Sequence, residues 1–231
     1  MQLFLINNFK ISTLMYIYYI LFMKIAILIQ ARYNSKRLPG KVCLKILDKE
    51  LLLHVYNNCK KSSLKNIYII TSKNKTDKPI VDLCIKNKIK YFRGNLNNVY
   101  LRYLQAIKKF HLGGFVRITA DSPLIDYKII NKAIKKFLKE KPDLITNVFP
   151  RTFPIGQSVE IINSEVFKKN YRNIFKQNEK EHITKYFYKN FKNFNIINFQ
   201  NYKNESKINL SINTKKDFFK ISKIIKSDEK I

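Results

Sequence analysis

The chain has 231 residues and a formal net charge of +29, from 45 basic and 16 acidic side chains. Hydrophobic residues make up 45% of the sequence, enough for a sizeable core, which excludes a disordered chain. The basic residues are spread from Lys10 to Lys230 without a dense tail. This spread favours one globular domain over a nucleic-acid-binding tail, and its positive field would attract an anionic substrate.

The amino-terminal part of the chain differs in composition from the rest. Residues 14–23 form a nearly unbroken apolar run. The run is too short to span about 30 Å of hydrocarbon comfortably, and no small-residue cleavage site accompanies it. We therefore expect residues 1–22 to lie outside the fold, as an upstream mis-called start or a weak membrane-associated leader without stable insertion. The folded domain would then comprise residues 23–231.

The cysteines indicate the redox compartment of the protein and whether a zinc site is to be expected. The three cysteines, Cys43, Cys59 and Cys84, are odd in number and show no C-x-x-C spacing. Neither a disulfide scaffold nor a zinc site is indicated. The composition fits a cytoplasmic protein.

The first predicted element is a strand that begins at Ile25. Residues 25–29 are apolar without alternation, which is typical of a strand covered on both faces. Residues 32–41 follow with four cationic side chains, a serine and one glycine. Because open α/β sheets bind ligands beyond the carboxyl ends of their strands, this loop is predicted to hold a polyphosphate.

The loop does not have the spacing of a P-loop. It contains only Gly40, and no Ser or Thr follows Lys41, which disfavours an ATPase or GTPase. A basic surface loop after a core strand stays open as the alternative.

Strand and helix patterns then alternate along the chain. We predict strands at residues 66–71, 89–92 and 115–119, and helices at 49–60, from after 78 to about 87, at 97–110 and from near 127. Such β–α alternation predicts an α/β fold with a mostly parallel sheet and right-handed crossovers.

A second polar motif follows the strand at residues 115–119. Asp121 comes directly after this strand, and Pro123 imposes an extended turn. The carboxylate is thus predicted at the same sheet edge as the cationic loop, where a divalent metal such as Mg²⁺ would join it to phosphate oxygens. A turn or helix-capping role for Asp121 is the alternative, although Asp126 fits the cap of the next helix better.

Two ordered motifs together carry a family resemblance. They are Leu-Ile-Gln-Ala-Arg at 28–32 with Ser35 and Arg-Leu-Pro-Gly-Lys at 37–41, and Arg-Ile-Thr-Ala-Asp at 117–121 with Pro-Leu-Ile-Asp at 123–126. The combination resembles the cytidylyltransferases that activate acidic sugars, the CMP-sugar synthetases, and looks closest to the spore-coat polysaccharide biosynthesis protein F branch. The resemblance covers residues 24 to about 225.

The resemblance implies a Rossmann-like nucleotide-diphosphosugar transferase fold with helices flanking the central sheet. It also implies transfer of CMP from CTP to an acidic sugar with release of pyrophosphate, in cell-surface or spore-coat polysaccharide biosynthesis. Mg²⁺ would be the cofactor, CTP and the sugar the partners, and a homodimer is possible. Catalysis of this kind depends on positioning and electrostatics.

Individual roles follow from the same resemblance. The implied catalytic residues are Arg32, Lys41 and Asp121. The implied nucleotide-binding residues are Gln30, Ala31, Arg32, Ser35, Arg37, Gly40 and Lys41. Arg151, Glu160 and His182 would bind the sugar, and Asp121, Asn213 and Asp217 would hold the metal.

The sequence departs from the family pattern at two places. Asn213 stands where the family has an aspartate, and Asn97 with Asn98 stands where the branch has an acidic residue. Both changes remove negative charge from the expected metal site. They leave open a non-catalytic or glycosyltransferase-like paralogue that binds sugar nucleotides.

The high positive charge also raises the alternative of a non-specific nucleic-acid-binding protein. The sequence contains no RNP, KH or helix-turn-helix motif to support that alternative.

Overall fold

A seven-stranded sheet lies at the centre of the part of the chain that the computed structural model describes, residues 23–228. The expectation for residues 1–22 falls outside this range. The strands in chain order are β1 (Ile25–Gln30), β2 (Lys45–Ile46), β3 (Lys49–Glu50), β4 (Ile67–Ser72), β5 (Tyr91–Gly94), β6 (Gly114–Thr119), β7 (Leu144–Thr146), β8 (Glu160–Asn163) and β9 (Ile196–Asn198). β2 and β3 form a separate two-stranded sheet.

The central sheet has the order β5-β4-β1-β6-β8-β7-β9. β8 alone runs antiparallel to its neighbours β6 and β7, and the other pairings are parallel. The sheet is therefore mostly parallel, as predicted. The carboxyl ends of β1, β4, β5 and β6 meet at one edge, and this edge carries the polar residues discussed below.

Helices cover both faces of the sheet. They are α1 (Leu51–Lys60), α2 (Lys78–Lys86), α3 (Val99–Phe110), α4 (Tyr127–Glu140), α5 (Ser164–Lys169), α6 (Gln177–Glu181), α7 (Lys185–Lys189) and α8 (Lys215–Asp228). Residues of α1, α2, α4 and α8 pack in one hydrophobic core with alternate residues of β1, whereas residues of α3, α5 and α7 pack in a second core. We call these sides the α1 face and the α3 face.

The alternation of side chains along the strands assigns each residue to a face. In β1, Ile27 belongs to the α1 face and Leu28 to the α3 face, and both are fully buried. This two-sided burial explains the continuous apolar run that predicted the strand.

The helices found within residues 23–228 include none with both the length and the apolar character needed to cross a membrane.

The local signals were accurate at most helix ends. Asp126 caps α4 by accepting a hydrogen bond from the Lys128 backbone N–H at 2.7 Å, as predicted. The strand predicted at 89–92 begins two residues later, at Tyr91. Lys88 adopts a left-handed backbone with φ of 54°, and the Ile89 N–H bonds back to the carbonyl of Cys84. These residues therefore close the preceding helix and are not available to the strand.

Candidate active site

A cavity of about 360 Å³ opens at the carboxyl edge of the central sheet. Three stretches of the chain line most of it: the end of β1 with the loop after it, the end of β6 with the residues after it, and the end of α6 with the residue that follows. The lining residues are Gln30, Ala31, Arg32, Ser35, Lys36, Arg37, Lys41, Val42, Arg117, Thr119, Ala120, Asp121, Glu181, His182 and Asn213. Five cations face two carboxylates, so the cavity suits an anionic ligand.

The loop after β1 curls back on itself, which brings its cations to the cavity. The carbonyl of Tyr33 accepts hydrogen bonds from the N–H groups of Ser35 and Gly40. Gly40 has φ of +71°, and a Cβ there would lie 3.1 Å from the Tyr33 ring, so a side chain would be strained. Gly40 therefore shapes the loop and places Lys41, while Ser35 and Arg37 line the cavity itself.

A buried carboxylate anchors the same loop to the sheet. Asp77 is fully buried and accepts hydrogen bonds from the Tyr33 N–H at 2.7 Å and from the hydroxyls of Thr71 and Ser72. Burial alone would raise the pKa of Asp77, but these hydrogen bonds hold it below its usual value. The loop is thus tied to the end of β4 by an ionised side chain.

Lys41 connects the loop to the far side of the cavity. Its Nζ lies 2.9 Å from Oδ2 of Asp121, 2.6 Å from the carbonyl oxygen of Ile212 and 3.3 Å from Oδ1 of Asn213. Lys41 is 7% exposed. The carboxylate, the amide oxygen and the carbonyl therefore converge on a single point next to the cationic loop.

That donor set bears on the expected metal. A carboxylate and an amide oxygen are hard oxygen ligands, and Mg²⁺ uses one or two protein carboxylates together with phosphate oxygens. Asp121 and Asn213 fit such a site. Within residues 23–228 no group of three or more His, Cys, Asp or Glu side chains could hold a metal by itself. Phosphate oxygens would have to complete the coordination.

Asp217 is engaged in a different way. One of its oxygens accepts hydrogen bonds from the N–H groups of Asn213 and Thr214 and from the Thr214 hydroxyl, and the other accepts from Asn209. Thr214 in turn accepts from the Asp217 N–H, which forms a capping box at the start of α8. Asp217 therefore holds the backbone of Asn213 and does not line the cavity.

The sugar-side residues implied by the resemblance fall into two groups. His182 lines the cavity, whereas Arg151 and Glu160 lie behind its wall. Arg151 donates to Ser158 at 3.0 Å, and Glu160 is 2% exposed. Glu160 reaches the cavity only through its ion pair with Arg117, whose Nη1 lies 2.5 Å from Oε2.

Several lining residues were not predicted, and Arg117 is the most informative. Burial opposes its charge, but the adjacent Glu160 raises the pKa of Arg117 above its usual value. A charged residue inside the otherwise apolar strand at 115–118 is a readable signal, since buried charges need partners. The cavity is also lined by residues for which no binding role was predicted: Lys36, Val42, Thr119, Ala120 and Glu181.

Arg32 lies between this cavity and a second one of about 220 Å³. Its Nη1 is 3.1 Å from Oε1 of Glu181, and both side chains line both cavities. The second cavity reaches Asp77 and Asn97, near the ends of β4 and β5. The pair therefore joins the loop after β1 to α6 across the boundary between the two spaces.

The fold and the site together define a nucleotide-binding α/β protein: a mostly parallel sheet with cations and a metal-compatible carboxylate at its carboxyl edge. A family model described as cytidylyltransferase matches residues 26–230. The chain belongs to this cytidylyltransferase family, and its fold is the Rossmann-like fold of the nucleotidyltransferases.

The comparisons with individual proteins agree. A cytidylyltransferase structure from Leptospira borgpetersenii serovar Hardjo-bovis matches with a TM-score of 0.86 and 34% identity, covering 89% of this chain and 87% of that one. An uncharacterized protein of Methanocaldococcus jannaschii is 34% identical over 85% of this chain and 81% of its own length.

Two relatives have named functions. The spore coat polysaccharide biosynthesis protein SpsF of Bacillus subtilis is 28% identical over 62% of this chain. The 3-deoxy-manno-octulosonate cytidylyltransferase of Wigglesworthia glossinidia brevipalpis is 29% identical over 63% of this chain. The matched regions cover about 60% of these two relatives' lengths.

Proposed function

We propose that the protein is a Mg²⁺-dependent cytidylyltransferase that transfers CMP from CTP to an acidic sugar and releases pyrophosphate. The observation that carries this proposal is the convergence of Asp121, Asn213 and Lys41 beside the cationic loop that follows β1. The names of the relatives SpsF and 3-deoxy-manno-octulosonate cytidylyltransferase support an acidic sugar used for a cell-surface or spore-coat polysaccharide.

The cavity side that belongs to the α1 face is the proposed triphosphate site. Arg37 and Lys41 would bind phosphate oxygens, and Lys41 would neutralise charge on the departing pyrophosphate as the sugar hydroxyl attacks the α-phosphorus in line. Asp121 and Asn213 would hold Mg²⁺, which would neutralise phosphate charge when bound. Arg32 would leave Glu181 to contact the nucleotide.

The side that belongs to the α3 face is the proposed sugar site. His182 and Gln30, which line the cavity, would contact the sugar there. The second cavity, beside Arg32 and Asn97, leaves space for the base and ribose.

The three cysteines are free thiols, which supports a reducing cytoplasmic setting.

The test is calorimetric titration of the full chain with CTP, ATP, GTP and UTP, with and without Mg²⁺. We expect CTP to bind most tightly and Mg²⁺ to strengthen its binding. Pyrophosphate release would then be assayed with a panel of sugar acids. Equal binding of all four nucleotides would refute the proposal.

Asn213 favours a second candidate, a sugar-nucleotide-binding paralogue without transfer activity, because an amide carries no charge for the metal. This candidate predicts selective CTP binding but no pyrophosphate with any sugar acid. The same two assays separate the candidates.

A further inference from the structure

Arg117 is placed to face a ligand at the side of the cavity remote from the phosphate loop. In β6 it shares the α3 face with Phe115, which lies in the second core, and with Thr119, which lines the cavity beside Gln30.

Lys41 and Asp121 approach the cavity from loops over the α1 face, where Val42 and Ala120 pack in the first core. Arg117 is therefore the cation of the cavity that comes from the α3 side of a strand.

The Arg117 guanidinium is bound by Glu160 on one side, and one of its N–H donors has no partner among residues 23–228. Glu160 accepts from Nη1, and the opposite oxygen of Glu160 accepts from the Tyr188 hydroxyl at 2.5 Å. Tyr188 also lies 2.8 Å from the Thr146 hydroxyl. The Nε of Arg117 is buried without a hydrogen-bond partner among residues 23–228. The side chain is nevertheless 16% exposed and lines the cavity, so its accessible N–H groups can donate to an anion there.

The distribution of charged side chains in the cavity disfavours a phosphate group as the ligand of Arg117. Arg32, Lys36, Arg37 and Lys41 already lie on the loop side of the cavity, with Asp121 and Asn213 for the metal. Glu160 cancels one charge behind Arg117, so this side carries less positive charge than the loop side. A single carboxylate matches it better than a polyphosphate.

We propose that Arg117 binds the carboxylate of the sugar substrate and so selects acidic over neutral sugars, with Glu160 and Tyr188 as positioning residues that fix its orientation. This inference rests on the proposed cytidylyltransferase function and adds the residue that recognises the substrate class. Arg151, which donates to Ser158 and Pro154, is not required for that contact.

The test compares the full chain with Arg117→Gln and Arg117→Lys. Pyrophosphate release is measured with CTP and a panel of 2-keto sugar acids, including 3-deoxy-manno-octulosonate, and with the corresponding neutral sugars. We expect Arg117→Gln to lower kcat/KM for acids about 10- to 100-fold, as for a lost charged hydrogen bond, mainly through KM. Neutral sugars should change little, so the acid preference falls by the same factor.

Two further variants give the inference a readout that a general loss of stability would not produce. Arg172→Gln removes an exposed arginine outside the cavity and should leave the acid preference unchanged. Tyr188→Phe should raise KM for the acid by a smaller factor than Arg117→Gln and leave CTP affinity unchanged. Arg117→Lys should recover part of the preference, because it restores the charge without the fork.

The outcomes separate the two proposals. If CTP and an acid are used but Arg117→Gln keeps the acid preference, or weakens CTP binding equally, the inference is overturned and the proposed function stands. If the unmodified protein prefers neutral sugars, the inference and the acidic-sugar part of the proposed function fail together, while cytidylyl transfer itself stands. Absence of selective CTP binding overturns both.

Discussion

The ammonium group of Lys41 lies 2.9 Å from the carboxylate of Asp121, although the two residues are 80 positions apart. Lys41 comes from the loop after β1 and Asp121 from the end of β6, and β1 and β6 are adjacent parallel strands. The same ammonium reaches Asn213, so one buried cation joins three segments of the chain. In the proposed reaction, phosphate oxygens would contact the Lys41 ammonium, and the metal would contact Asp121 and Asn213.

Removal of the Lys41 ammonium should abolish most of the activity. We expect Lys41→Met to lower kcat for pyrophosphate release by about 10²- to 10³-fold, as for the loss of one preorganised electrostatic contact. Lys45→Met, which removes an exposed lysine from β2, is the matched control and should remain active. Equal losses in both variants would show that overall charge, and not the position of Lys41, supports catalysis.

Asn213→Asp should strengthen metal binding. Its Oδ1 and the Asp121 carboxylate converge on the same ammonium, so the substitution adds a charged ligand where the two groups meet. We expect the Mg²⁺ concentration for half-maximal activity to fall on the order of tenfold, because ligand charge tunes the affinity of such sites. A Mg²⁺ titration of pyrophosphate release measures it. An unchanged or higher midpoint would contradict the placement of the metal between these residues.

Asp77→Asn should loosen the loop that carries the cations. The carboxylate accepts from the Tyr33 N–H and from Thr71 and Ser72 while fully buried, so we expect a loss of about 2 kcal/mol in the free energy of unfolding. CTP affinity should fall as well. Urea unfolding and calorimetry measure the two effects.

Asp82→Asn provides the comparison for that experiment. Asp82 pairs with Lys78 on the exposed side of α2, where an ion pair contributes about 0–1 kcal/mol. CTP affinity should be unchanged. If Asp82→Asn were as damaging as Asp77→Asn, the anchoring role of the buried carboxylate would be wrong.

The sequence predicted the parts of this molecule that depend on local patterns. The apolar run of β1 and the cap at Asp126 are encoded by neighbouring residues, and both were located correctly. The cationic loop and Asp121 were expected at one sheet edge because parallel strands end there, and they meet there.

Pairings between distant segments could not be predicted in the same way. Arg117 and Glu160 are adjacent only because β8 inserts antiparallel beside β6, and no local pattern indicates that register. The pair of Arg32 with Glu181 likewise depends on where α6 packs. The capping box of Thr214 and Asp217 is different, since its [ST]-x-x-[DE] spacing can be read directly from the sequence.

That capping box leads to a pH-dependent prediction. Partial burial would raise the pKa of Asp217, but hydrogen bonds from Thr214 and Asn213 lower it below its usual value. A carboxylate whose pKa is lower in the folded state stabilises the fold at pH values above its unfolded pKa. The stabilisation is lost as the pH falls through the folded pKa. Asp217→Asn should therefore cost about 1 kcal/mol at neutral pH, as for a lost helix cap.

The measurement is urea unfolding of the full chain and of Asp217→Asn between pH 7 and pH 3. The difference between the two proteins should be constant from pH 7 to about pH 5 and shrink below about pH 4, where the carboxylate of the unfolded chain takes up its proton. Mg²⁺ should not alter the difference at pH 7. A difference that grows with Mg²⁺ would contradict a purely capping role, because it would couple Asp217 to the ion, either as a ligand or through the Asn213 backbone that it holds.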